Sequence, residues 1–158
     1  MKRNTMKKLL AFVLAVNLAL CVFLFAACGG NENENALTGK ATIVIQGAET
    51  ISYEIDLAAE EFTTKNTVLD LIVYLSKEKE LYFKGDYSST GIFLTSIGSI
   101  KPVGNEFICV FTSVQKDFSV ADYATEITHD GVLLKSADFG VSSLSIEDGA
   151  IFLFKIIA

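Results

Sequence analysis

The last apolar segment, Ile151-Phe152-Leu153-Phe154-Lys155-Ile156-Ile157, constrains the fold more than any other stretch of the chain. Lys155 is its one charged position, so a strand here is apolar on both faces. Such a strand belongs inside a sheet, with neighbours on both edges and a cover on at least one face. Asp148-Gly149, just ahead of it, is a turn signal that starts the strand.

The segments upstream supply those neighbours. Ile43 and Ile45 alternate with Thr42 and Val44, and a turn follows at Gln46-Gly47-Ala48-Glu49. Ile51, Tyr53, Ile55 and Leu57 then share one face, against Ser52, Glu54 and Asp56 on the other. This is a hairpin with a dry face and a wet face. Val68, Leu71, Ile72 and Leu75 fall at i, i+3, i+4 and i+7, the apolar stripe of an amphipathic helix. Thr64 or Asn66 is the expected N-cap, and Asp70 suits the positive end of the helix. Lys77-Glu78-Lys79-Glu80 is its solvated end. Strands are expected again at Ile92-Phe93-Leu94 running into Ser96-Ile97, at residues 107–112, and briefly at Val132-Leu133-Leu134. Residues 113–130 are mixed and acidic and read as an irregular excursion. Hairpin, helix, further strands and a buried last strand predict an α+β fold: a β-grasp-like mixed sheet with one main helix packed across it.

The N-terminus is built differently. Lys2, Arg3, Lys7 and Lys8 precede residues 9–27, which are apolar except for Asn17 and Cys21, the layout of a secretory signal. The run ends Leu24-Phe25-Ala26-Ala27-Cys28, and small residues directly before a Cys resemble the lipobox of bacterial lipoproteins. That resemblance implies cleavage before Cys28, attachment of membrane lipid to Cys28, and a protein held on the extracellular face of the cell membrane. An uncleaved anchor is the alternative, since this run of nineteen residues just spans a bilayer. Residues 1–27 are thus expected to be a lipoprotein signal peptide, residues 28–38 a flexible acidic tether, and residues 39–158 the folded domain.

Removing the signal removes four of the 13 basic residues, among them the only Arg, and leaves nine Lys against 19 acids, a net charge of −10. An acidic chain with no Arg has neither a phosphate-neutralising face for nucleic acid nor an arginine clamp. With Cys21 discarded and Cys28 lipidated, Cys109 is left alone and no internal disulfide is expected.

Several segments of the domain resemble one family. Asn66-Thr67-Val68-Leu69-Asp70-Leu71-Ile72 opening the helix, Ile97-Gly98-Ser99-Ile100, the aromatic strand at residues 107–113, and Gly140 followed eight positions later by Asp148-Gly149 and a last apolar strand are similar to the transcobalamin-like C-terminal domain, also called DUF4430. The resemblance covers about residues 41–157. It implies cobalamin or another corrinoid as the first ligand to consider, held as cargo without a catalytic cofactor and handed to a membrane transporter.

Catalytic chemistry has little to work with. His129 is the only His and stands in Thr128-His129-Asp130-Gly131 without a nucleophile motif, so it reads as a surface loop residue. Cys109 lies in an apolar strand and reads as a small core residue. Asp117, Asp122, Glu126 and Asp130 do not have the alternate-position spacing of a calcium loop, and no metal site is expected. Phe111, Thr112 and Ser113 with Tyr123 are the candidate contact patch, aromatic surface beside hydroxyls. Two non-enzymatic functions follow: capture of a small ligand for a membrane partner, or a cell-surface module that binds a protein or glycan without a small ligand.

Overall fold

The computed structural model describes residues 35–158. The expected signal segment, Cys28 and most of the tether lie outside the described residues. Among the described residues, no helix is long and apolar enough to cross a membrane.

Strands β1 (Lys40–Gln46) and β2 (Thr50–Asp56) form the expected antiparallel hairpin, in register from Lys40 opposite Asp56 to Gln46 opposite Thr50. Helix α1 (Val68–Glu78) follows, then β3 (Phe83–Ser88), β4 (Gly91–Ile97), β5 (Phe107–Thr112), a 3-10 turn at Gln115–Asp117, β6 (Glu126–His129), β7 (Val132–Ser136) and β8 (Ile151–Ile157). The main sheet has the order β2-β1-β8-β5-β7-β6, and β3-β4 forms a separate two-stranded sheet. β8 runs parallel to β1 and antiparallel to β5. The last strand is therefore internal, as its two apolar faces require.

The expected α+β, β-grasp-like class is corrected. The mixed sheet and its helix are present, but the protein is mostly β: eight strands and one helix of 11 residues in the described region. Two strands missing from the expectation account for the difference. β3 (Phe-Lys-Gly-Asp-Tyr-Ser) pairs with β4 as a second sheet, and β6 (Glu-Ile-Thr-His) pairs with β7 to extend the first. Both are short, polar and poor in alternation, so only a partner strand makes them strands. The β6–β7 connection is Asp130-Gly131, both at positive φ (47° and 80°), the geometry of a two-residue hairpin turn.

Two cores divide the side chains of the sheet by parity. Ile43, Ile45, Phe152, Phe154 and Ile108 join the helix stripe Val68, Leu71, Ile72 and Leu75, and Ile92, Leu94 and Ile97 of β4, in the larger core. The intervening residues Val44, Leu153, Cys109 and Phe111 pack with Leu134 of β7 in a smaller core on the other face. The same hairpin that extends the sheet thus supplies the side chain that helps to close its second face.

The helix start differs from expectation. Thr67 is the N-cap, not Thr64 or Asn66. Asp70 Oδ2 accepts from Thr67 N at 2.7 Å and from its hydroxyl at 3.1 Å, a reach-back bond that satisfies the amide ahead of the first turn. The first helical amides find carbonyls from elsewhere: Val68 N donates to Leu144 O at 3.1 Å and Leu69 N to Val141 O at 3.0 Å. Asn66 instead closes a local turn, accepting from Thr63 N at 2.8 Å.

Residues 140–146 therefore join the helix to the β3-β4 hairpin. Gly140 N donates to Thr90 O at 3.0 Å and Val141 N to Ile92 O at 2.8 Å. A Cβ at Gly140 would stand 2.4 Å from Ile92 O, so only glycine allows this approach. The packed domain also reaches back before residue 39: Leu37 is buried and its N–H donates to Phe62 O at 2.8 Å.

Candidate functional site

The four residues expected to form a contact patch are dispersed. Phe111 (2% exposed) is in the smaller core, and Thr112 is fully buried, its hydroxyl accepting from Val114 N at 3.0 Å. Ser113 ties β5 to β8, with its hydroxyl accepting from Ile151 N at 2.9 Å and its own N–H donating to Ile151 O at 3.0 Å. Tyr123 stands alone in solvent, 84% exposed. Aromatic and hydroxyl side chains in series look alike in a binding surface and in a strand junction; here three of the four make the junction.

Cys109 is a core residue, with burial pushing its thiol up to about 11. It is no thiolate nucleophile at neutral pH. His129 ends β6 rather than lying in a loop, with Asp130 Oδ2 3.6 Å from its Nε2. Of the four acidic residues of the excursion, Asp117 is buried and structural: its carboxylate accepts from Ser145 N at 2.7 Å. It joins the turn after β5 to the segment that caps the helix. Among the described residues, no three His, Cys, Asp or Glu side chains are grouped to hold a metal.

Among the described residues, two concavities stand out as candidates. The first is an apolar groove of about 80 Å³ between β4, the start of β5 and residues 137–141. Its walls include Phe93, Phe107 and Phe139, which are 43%, 52% and 41% exposed. Phe93 occupies the outward phase of β4, where Ile92 and Leu94 point inward. Such an outward Phe is visible in the sequence once the strand phase is known; its meeting with Phe107 and Phe139 is not.

The groove also contains a backbone feature. Ala137 N donates to Val110 O at 2.8 Å, which fixes the side of β5 that faces β7. Period two places the N–H and C=O of Ile108 on that same edge. Beyond Ala137 the chain has left β5 to bond with Thr90 and Ile92, so among the described residues no strand pairs with Ile108 on that edge.

The second concavity is larger, more open and more polar, at about 500 Å³. Its walls are residues 46–48 of the β1–β2 turn, residues 99–101, and Lys155 with Ile156 of β8. It exists because β1 ends at Gln46, opposite Lys155, while β8 continues. Residues 97–100 close on themselves, with Ile97 N donating to Ile100 O at 3.1 Å and Ile100 N to Ile97 O at 3.0 Å.

No family model matches the chain, and no curated protein matches it. Among solved structures it is similar to a protein of Ruminococcus gnavus ATCC 29149 named as a candidate metal-binding protein. The TM-score is 0.48 at 12% identity, over 75% of this chain and 96% of that one.

Proposed function

We propose that the chain is a non-catalytic interaction module, carried on the extracellular face of the membrane by lipid on Cys28, that binds a partner protein through the groove of Phe93, Phe107 and Phe139. The three half-exposed phenylalanines around one small groove carry this reading. An 80 Å³ groove accepts one apolar side chain, whereas small-molecule pockets run to about 300–1,000 Å³. Aromatic residues around a pocket for a single anchor are the usual centre of a protein interface. The main-chain edge of Ile108 that faces away from β8 adds an orienting contact for an extended partner segment. Capture of a corrinoid, the first ligand suggested by the family resemblance, has less support, because the larger cleft is open and polar.

The test is selection of binders from a displayed library of extended peptides, followed by amide exchange on the full chain in detergent micelles. Selected peptides should carry an apolar anchor, slow exchange at the Ile108 amide, and lose about tenfold or more in affinity with Phe107→Ala. Protection elsewhere with Ile108 unaffected would overturn the groove assignment. Saturable heat on titration with cobinamide would restore ligand capture. Fatty-acid labelling that persists in Cys28→Ser would remove the anchor.

A further inference from the structure

The open cleft at the end of β1 has a charge pattern opposite to that of its domain. The described residues carry nine Lys against 17 Asp and Glu. The cleft nevertheless contains Lys101 and Lys155 and no carboxylate; Glu49, in the adjoining turn, is not among its walls. Neither lysine forms an ion pair among the described residues, unlike Lys40, which pairs with Glu54, and Lys116, which pairs with Glu147. Ser99 and Gln46 add a hydroxyl and an amide to the same walls.

The cleft is also held in shape. Gly98 stands at φ 54° with its N–H on Tyr82 O at 2.8 Å, and the reciprocal bonds between Ile97 and Ile100 hold residues 97–100. Ile100 is buried, and a Cβ at Gly47 would come within 2.8 Å of its Cγ2, so the turn and the loop lie close together. Lys155 is positioned by a strand paired on both sides. Lys101 and Lys155, from separate segments, thus both contribute to the walls of one concavity whose backbone is braced, which reduces the ordering cost of binding.

We infer that this cleft binds a phosphate group, carried either on a soluble ester or on an anionic membrane lipid. Lysine ammonium groups act on phosphate as point charges, and a multiply charged oxyanion engages two of them together. A planar carboxylate is better matched by the guanidinium fork, which is absent here because Arg3 is the only Arg of the chain. The inference is independent of the aromatic groove.

The experiment follows amide chemical shifts of the full chain in maltoside micelles at constant ionic strength. Pyrophosphate should give saturable shifts at Gly47, Ser99 and Lys101, and the double change Lys101→Gln and Lys155→Gln should weaken binding about tenfold. Lys77→Gln, an exposed lysine outside the cleft, should leave it unchanged. Doping the micelles with phosphatidylglycerol separates the two sources: shifts at the same amides with lipid but not with pyrophosphate assign a headgroup, and the reverse assigns a soluble ester. Shifts that chloride reproduces, or an equal loss in Lys77→Gln, overturn the inference. Lys101→Gln alone, at an exposed position, gives the same test if the double variant is poorly folded.

Discussion

Replacing Leu134 with Ala tests the arrangement that most distinguishes this fold, the β6–β7 hairpin contributing to a second core. Leu134 is fully buried in a cluster of five buried residues, with Val44, Cys109, Phe111 and Leu153, against which Ile127, Ile151 and Ile157 pack. Removing its three outer carbons leaves a cavity against a sheet that is paired along β1, β8 and β5 and cannot collapse. The hairpin side can settle inward, since β7 meets β5 over only two register pairs. The cost should therefore sit at the lower end of the usual range for buried Leu→Ala, about 3 kcal/mol. With a urea dependence of about 1.5 kcal/mol per molar, the unfolding midpoint falls by about 2 M. Leu133→Ala is the control, because Leu133 points the other way and is 54% exposed. Its cost should stay within about 0.5 kcal/mol. A second readout is local: Cys109 shares the cluster with Leu134, so its reaction with a thiol reagent should quicken in Leu134→Ala and not in Leu133→Ala. Equal effects of the two substitutions on stability would refute the phase assignment of β7 and the second core with it.

Two further outcomes follow from buried polar groups. Asp117→Ala leaves the Ser145 amide without its 2.7 Å acceptor and should cost about 2 kcal/mol in chemical denaturation, whereas Asp117→Asn keeps an acceptor oxygen and should cost less. Equal losses would show that the bond is not what holds the turn to residues 140–146. Cys109 binds its proton more tightly when folded, at about 11, than its ordinary value of 9.0. Its contribution is therefore complete below about pH 9 and is lost as pH rises through 9 to 11, by up to about 2 kcal/mol. The stability difference between wild type and Cys109→Ala should change by that amount between pH 8 and pH 11, and a constant difference would contradict burial of the thiol.

Much of the main framework was legible without coordinates. The hairpin at residues 40–56, the helix stripe and the internal last strand all rest on periodicity, which the chain states locally. Glu-Ile-Thr-His and Phe-Lys-Gly-Asp-Tyr-Ser state nothing of the kind, and each becomes a strand through its hairpin partner. The N-cap falls at Thr67 and not at Thr64 or Asn66, because the carbonyls of Val141 and Leu144, more than seventy positions away in sequence, meet the first amides of the helix at Val68 and Leu69.

The candidate sites divide along the same line. The sequence by itself determined that β8 would be buried on both faces, that Cys109 would be core, and that the folded domain would be acidic and held without an internal disulfide. Those properties follow from the chemistry of adjacent residues and their parity. Only the tertiary structure decided that Phe111, Thr112 and Ser113 form a junction, while Phe93, Phe107 and Phe139 share a groove and Lys101 and Lys155 share a cleft. Each of these groupings joins segments far apart in the chain, and their proximity depends on where β1 stops beside β8 and where residues 137–141 leave β5. Strand endings of that kind are set by competing partners across the fold, so no local pattern announces them.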